Sequence, residues 1–358
     1  MTAADPPASA AGSVLAIDIG GTKFAAGLVD VSGRVLAAEQ VATPPGANAG
    51  TLWKTLLALV EPLVANGPGL GVGVGCGGPM RWPDGVVSPL NMPGWRDFPL
   101  RAALEERFPG VPVRVHNDAI CLAVAEHWRG AGQGVADMLG MVVSTGVGGG
   151  LILGDRLISG PTGNAGHIGH VVVDPAGPEC GCGGHGCLEA VSRGPALAAW
   201  AIRQGWIPGA ATSGRPEASR LHPVDARESL PPAPSDPSHE AGDAGYEEAG
   251  TATARRLAAD AAAGDEIALR AMTRAGRALG TAIASTTHLC DLDLVTIGGG
   301  LSQAGPLLFT PLEEALRAHA RMPFSRRLRV VPASLGRRAG LIGAAALVLA
   351  PGPYWTAP

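Results

Sequence analysis

The sequence predicts an α/β protein made of two related halves that face a shared cleft. Three observations predict it. Strand and helix signals alternate along most of the chain. Two apolar stretches, SVLAIDIGGTKFAAGLVD from Ser13 and MLGMVVSTGVGGGLIL from Met138, each read as strand, glycine turn and strand. A third glycine cluster, Gly298-Gly299-Gly300, follows another apolar strand. With 358 residues, 46% of them hydrophobic, the chain is long enough to bury two cores.

The elements follow in order. After the first hairpin, Leu52 to Val64 reads as a helix, Gly71 to Val74 as a strand, Leu100 to Phe108 as a helix and Val111 to Val115 as a strand. Past the second hairpin, Pro208 to Gly250 is dense in Pro, Ala, Ser, Glu and Asp and has no sustained apolar period. It predicts a disordered or loosely packed surface insertion, since so long a loop is more often tolerated than a functional lid. Order returns with a helix from about Asp265 to Leu289, where Asp265 can cap the start and Ile267, Met272, Leu279 and Ile283 share a face. Leu292 to Ile297 is then a strand. A helix from Leu312 to Ala320, a strand near Leu328 to Val331 and a helix from Arg338 close the pattern.

This organisation divides the chain into a flexible N-terminus over 1–12, a smaller α/β domain over 13–118 and a larger one over 119–337. The larger domain holds the loop 163–189 and the insertion 208–250, and the final helix, 338–350, is expected to pack near the smaller one.

Charge and targeting narrow the function classes. A formal net charge of -4 gives no global attraction to nucleic acid or to an anionic membrane. The start, MTAADPPASAAGS, has no basic region followed by an apolar run. Leu341 to Ala350 is about half the ~20 residues a membrane span needs. A cytoplasmic protein is expected, and single cysteines at 76, 121 and 290 read as buried small hydrophobes.

The turn Asp18-Ile19-Gly20-Gly21-Thr22-Lys23 suits a phosphate. Glycine backbone N–H groups can line it, Thr22 and Lys23 add donors, and Asp18 can hold a hydrated Mg²⁺. An ordinary Gly-Gly hairpin is the plainer reading. Ser144-Thr145-Gly146-Val147 and the Gly298–Gly300 cluster repeat the theme, which favours a nucleotide gripped by backbone. Neither a GK[ST] phosphate loop nor a dinucleotide fingerprint follows a strand here, so paired hairpins must form the grip. Such an arrangement is the one expected of the actin-like, ribonuclease H-like architecture.

Between the hairpins, Val113-Arg114-Val115-His116-Asn117-Asp118 is a strand ending in a polar pair where a helix begins. Asp118 can accept the proton of an attacking hydroxyl or simply cap the helix. Residues 163–189 then collect three cysteines, three histidines and three carboxylates. His170, Cys180, Cys182 and Cys187 give H-x9-C-x-C-x4-C, a donor set for a closed, structural tetrahedral Zn²⁺, with redox pairing of the cysteines as the alternative. A loop so tied brings His167 and Glu189 together at a cleft, where fixed polar groups can read hydroxyls.

Taken together, these motifs resemble the ROK family of sugar kinases and repressors, in particular its bacterial glucokinases. The resemblance runs from about Ser13 to Ala350, and the run GNAG-x-x-GH followed by C-x-CG-x-x-GC-x-E carries most of it. It implies an actin-like fold of two α/β domains around an ATP and hexose cleft, with zinc and Mg-ATP. It also implies a homodimer or homotetramer. By the same likeness Asp118 is the base that takes the proton from the sugar 6-hydroxyl. Asn91, Asn117, His167, His170 and Glu189 are then sugar ligands. Asp18, Gly20, Gly21, Thr22, Lys23, Thr145, Gly146, Gly299 and Gly300 are nucleotide contacts.

One sugar position departs from the pattern. The family's glucokinases carry Glu in E-x-G-H, whereas this chain has His167-Ile168-Gly169-His170, which replaces an acceptor with a group that also donates. Cys76-Gly77-Gly78-Pro79 and Ala119-Ile120-Cys121 also differ from the usual runs. The expected activity is phosphorylation of glucose or a close analogue. An amino- or N-acetylamino-hexose (kanosamine, N-acetylmannosamine or N-acetylglucosamine) is the leading alternative, and a non-catalytic sensor or repressor the rival of another class. The repressor reading lacks room for a DNA-binding region before Asp18, and no membrane or nucleic-acid partner is expected.

Overall fold

A computed structural model describes residues 12–65, 67–212 and 253–355. The expected N-terminal tail through residue 11 and the predicted insertion from residue 213 to 250 lie outside the described residues.

The first half begins with a meander of β1 (Ser13–Ile19), β2 (Lys23–Asp30) and β3 (Val35–Ala42). Helix α1 (Ala49–Val60) leads to β4 (Val72–Cys76), the short pair β5 (Met80–Arg81) and β6 (Val86–Val87), α2 (Leu100–Arg107) and β7 (Val113–Asn117). The sheet order is β3-β2-β1-β4-β7, antiparallel within the meander and parallel from β1 to β4 to β7.

Helix α3 (Asp118–Arg129) opens the second half, which repeats the scheme. Its meander is β8 (Met138–Val143), β9 (Val147–Leu153) and β10 (Arg156–Leu157). Helices α4 (Leu188–Ser192), α5 (Gly194–Arg203), α6 (Ala254–Ala262) and α7 (Glu266–Cys290) precede β11 (Leu294–Gly298). Then come α8 (Pro306–His319), β12 (Arg329–Pro332), α9 (Ala339–Leu349) and α10 (Pro351–Tyr354). The order β10-β9-β8-β11-β12 is the first sheet's order over again, with the same antiparallel and parallel pairings.

Alternation along β1 explains how the layers stack. Leu15, Ile17 and Ile19 point into a core with α1 and α2, whereas Val14 and Ala16 point into another with α3 and α9. That second core also takes Met138, Ile152 and Leu294 from the second sheet, so α3 and α9 lie between the sheets. Their contact is close because it is built from small residues: a Cβ on Gly343 would strike the Cys121 carbonyl. Outside the second sheet, Leu139, Met141 and Val143 meet Ala271, Met272 and Leu279 of α7.

Most expected elements are present within a few residues, and one differs instructively. The helix expected from Leu312 begins at Pro306, with Pro311 inside it. Pro311 removes one backbone donor, but the turn is held from outside, where Gly276 and Gly280 of α7 lie against the carbonyls of Leu308 and Leu312. Dense packing against α7 outweighs the local cost. At the head of the expected insertion, Pro208 to Thr212 are anchored: buried Asp260 accepts from Trp206 Nε1 (3.0 Å), Gly209 N (2.6 Å) and Thr212 Oγ1 (2.9 Å).

Candidate functional site

The ends of β1, β4 and β7 are in register, Ile19 beside Cys76 and Cys76 beside Asn117, so their turns leave the sheet along one edge. In the β1–β2 turn, Gly20 N donates to the Lys23 carbonyl (3.0 Å), and Thr43 Oγ1 donates to the Gly20 carbonyl (2.8 Å). Thr22 is exposed, and Lys23 Nζ donates to Gln40 Oε1 at 3.4 Å. Asp18 lies against the start of α9, where a Cβ on Gly340 would strike its carboxylate. Burial, then the charge of Asp118, push the Asp18 carboxyl up to about 6, with Lys23 pulling the other way.

Asn117 caps α3 by accepting from Ala119 N at 3.0 Å, and Asp118 is the first residue of the helix, its Oδ1 accepting from the same N–H at 2.8 Å. The cap is therefore mainly Asn117, which leaves Asp118 Oδ2 to face the glycine loop after β4. A Cβ on Gly77 would sit 4.0 Å from Asp118 Oδ2 and 3.9 Å from Asn91 Oδ1, and one on Gly78 would sit 3.2 Å from Asn117 Nδ2. Exposed Asn91 also lies on Gly21. The missing side chains at 21, 77 and 78 thus clear a floor on which Asn91, Asn117 and Asp118 meet. Burial raises the Asp118 carboxyl, and its backbone hydrogen bonds oppose the shift.

The second turn is built in the same way and joined by the third glycine cluster. Ser144 N donates to the Gly146 carbonyl (2.9 Å), and Gly194 N to the Ser144 carbonyl (2.8 Å). Gly299, with φ +93°, lies on the Val143 carbonyl, and a Cβ on Gly300 would be 3.8 Å from Ser144 Oγ. Exposed Thr145 and Gly300 and half-buried Gly146 and Gly299 therefore lie close together. Glu189, in the first turn of α4, accepts from Val147 N through Oε2 at 2.9 Å, and its Oε1 takes no part in that bond.

The loop between β10 and α4 folds on itself through backbone bonds, among them Cys180 N to the Gly184 carbonyl (2.8 Å) and Gly186 N to the Pro178 carbonyl (2.8 Å). It gathers one ligand atom each from His170, Cys180, Cys182 and Cys187 within 4.8 Å of one another. Cys182 Sγ and Cys187 Sγ are 3.7 Å apart, as are Cys180 Sγ and His170 Nδ1. A tetrahedral ion with metal–sulfur bonds of about 2.3 Å has edges of about 3.8 Å, so the four groups can hold such an ion. His170 turns Nδ1 to this cluster and leaves Nε2 free of it. Its ring stacks on His167 at 5.6 Å and 13°. Burial, then His170, lower the His167 pKa, with Glu189 opposing, so His167 is a neutral imidazole that both donates and accepts.

Comparison with known proteins decides the relationship. A sequence profile described as the ROK family matches residues 14–350. The chain belongs to the ROK family. It is 32% identical to the glucokinase of Thermotoga maritima, over 94% of this chain and 96% of that protein. It is 34% identical to the N-acetylmannosamine kinase of Shigella flexneri, over 94% of this chain and 98% of that protein. Among solved structures, the ROK glucokinase of Streptomyces griseus in complex with glucose and AMPPNP is similar with a TM-score of 0.74 and 32% identity, covering 94% of this chain and 99% of that one.

In this ROK chain the expected residues fall into neighbouring groups: Asp18 with the first glycine turn; Asn91, Asn117 and Asp118; His167, His170 and Glu189; and the second and third glycine turns. Sequence reasoning missed the side chains that join them. Fully buried His116 contacts Ser159 at 3.2 Å, and Trp82 lies on both His116 (5.8 Å between rings) and Gly163. In β7 His116 shares with Arg114 the face opposite Val113 and Val115, so alternation along the strand gave no signal that it is buried. Among the described residues no helix is long and apolar enough to cross a membrane.

Proposed function

We propose that this ROK protein is an ATP-dependent hexose kinase that transfers the γ-phosphoryl group to the 6-hydroxyl of glucose or a close analogue. The observation that carries the reading is Asp118, which starts α3 beside Asn91 and Asn117, with its carboxyl raised by burial. A raised carboxylate is a better base near neutral pH than an ordinary one. The repeated sheet order and the pair α3 and α9 between the sheets support an actin-like fold. Packing of α9 on β1 and β4 supports grouping 338–350 with a first domain of 13–118, and 119–337 as the second.

Asp118 Oδ2 takes the proton of the 6-hydroxyl as its oxygen attacks phosphorus and ADP departs. Asn91, Asn117 through Nδ2, Glu189 through Oε1, His170 through Nε2 and His167 hold the remaining hydroxyls. Backbone N–H groups of Gly20, Gly21, Thr145, Gly146, Gly299 and Gly300, with Thr22 and Lys23, line the phosphates. The charge of Asp118 adds to burial in raising the Asp18 carboxyl, so a cation held by Asp18 would relieve that cost. Asp18 would hold Mg²⁺, which when bound would neutralise charge developing on the transferred group. Zinc is the metal proposed for His170, Cys180, Cys182 and Cys187, four donors that would close its coordination shell and tie the loop.

Alignment of the three activating features (base, positioning groups and phosphate grip) argues against a non-catalytic sensor, which needs no base. His167 favours a second reading, an amino- or N-acetylamino-hexose, because a donor now faces the sugar where a carboxylate only accepted. The test is ADP release with Mg-ATP against glucose, mannose, N-acetylglucosamine, N-acetylmannosamine and kanosamine. Turnover on one or more is expected. Silence from folded, zinc-loaded protein overturns the kinase reading on these sugars. His167→Glu is expected to raise kcat/KM on glucose relative to the native substrate, by roughly the tenfold that one rearranged hydrogen bond supplies; an unchanged preference removes His167 from sugar recognition.

A further inference from the structure

His116 lies behind the Asn117–Asp118 junction and is itself assigned no contact with substrate. Its ring is completely buried, and both nitrogens are engaged. Nδ1 faces Asn117 N at 2.9 Å, and because an N–H can only donate, Nδ1 is the acceptor and the proton sits on Nε2. Nε2–H then donates to Ser159 Oγ at 3.2 Å. Ser159, 5% exposed, stands at the start of the Ser159-Gly160-Pro161-Thr162-Gly163 run that leads into Gly166 to His170. Ala165 N in turn donates to the Ser159 carbonyl at 3.0 Å.

Aromatic rings enclose the imidazole. Trp82, from the turn between β5 and β6, lies tilted against it at 5.8 Å and 32°, and its side chain fills the space over Gly163. Trp355, after α10, meets His116 edge-on at 6.4 Å and 89°. Burial takes the imidazole down to about 3, so it stays neutral and keeps one tautomer across the working range. One side chain of the first sheet is thus bonded to the loop that carries the groups of the second half.

We propose that His116 is a positioning residue, whose single fixed tautomer bonds the Asn117–Asp118 junction to Ser159 and so sets the base against the Gly163–His170 loop. The inference rests on the reading of Asp118 as base. A small displacement of a base from its substrate costs rate more than affinity, because the reacting geometry is met only over tenths of an ångström.

The experiment measures kcat, KM and melting temperature for His116→Phe, Ser159→Ala, the double variant, Ser159→Thr and Asp118→Asn. Mg-ATP is used with whichever of the five sugars wild type turns over fastest. Expected is a fall in kcat of about ten- to a hundredfold for His116→Phe, with little change in KM for ATP. Ser159→Ala lowers kcat less, and the double variant is no slower than His116→Phe because both remove one bond. Ser159→Thr, which keeps the hydroxyl, restores kcat toward wild type. Should His116→Phe fail to fold, Ser159→Ala and Ser159→Thr decide the question alone. Wild-type kcat in Ser159→Ala, or losses that multiply in the double variant and follow melting temperature, overturn the positioning role. If Asp118→Asn keeps its turnover, the reading of the base fails as well; if it is inactive while Ser159→Ala is normal, only the role of His116 fails.

Discussion

The two halves share a strand order and differ in what sits at the strand ends. Asp18 occupies the penultimate position of β1, and the matching position of β8 is Val142. Helix α3, after β7, opens with Asn117 and Asp118, while α9, after β12, opens with Ala339 and Gly340 and has no side-chain cap. Asp18 and Asp118 therefore belong to the first half, and Glu189 to the second. On the second half Glu189 accepts from the Val147 N–H, and a loop gathers His170, Cys180, Cys182 and Cys187. Duplicated topology gives both halves the same strand order, and the proposed chemistry sets them apart: the proposed base stands on the first half alone, while glycine turns proposed for the phosphates stand on both. Gly340 is part of that division, since its bare Cα is what lets Asp18 reach the α9 terminus.

Removing the acid from the first half gives the largest expected effect. Asp118→Asn should lower kcat by about 10²- to 10⁴-fold, the usual worth of a general base, while calorimetry finds sugar affinity little changed. Near-normal turnover would erase the distinction between the halves. Next, Cys182→Ser disables the metal loop of the second half. Metal analysis should fall below half an equivalent of zinc and sugar KM should rise severalfold, with ATP KM nearly constant; full zinc content would show that the cluster is not the metal site.

A smaller effect tests what the halves share. Gly343→Ala places a methyl on the Cys121 carbonyl between α3 and α9 and should destabilise the fold by about 1–3 kcal/mol in denaturant melts. An unchanged midpoint would mean that the central helix pair is loosely packed. The smallest effect separates Asp18 from its counterpart Val142. Asp18 titrates near 6 when folded against an ordinary 3.8, so the folded state binds more protons in that window and stability falls as pH rises through it. Asp18→Asn should therefore raise the melting temperature of the ligand-free protein at pH 7.5, by roughly 2–4 °C, and the gain should vanish toward pH 4. A gain independent of pH would assign it to packing instead of charge.

Much of this was legible in local pattern. Both hairpins, the capped helix from Asp265 and the strand before Gly298 are visible because apolar alternation and capping residues act over a few positions. The Cys and His spacing was equally plain, since a tetrahedral ion needs four donors and the glycines between them let a short loop close. Helix α8 was misjudged at its start because Pro311 stops a helix locally, and only the face of α7 reveals why it does not.

The order of residues by itself determined the two strand–turn–strand units, the donor set of the loop and the identity of the acid at the head of α3. Tertiary structure alone decided which groups meet. Asn117 took the cap and left Asp118 Oδ2 toward the cleft, Gly340 met Asp18, and His116 found Ser159 forty-three residues away. The reason is physical: periodicity reports the environment of a residue along its own element, whereas contacts between β7, the loop after β10 and the end of the chain depend on how the sheets stack about α3 and α9.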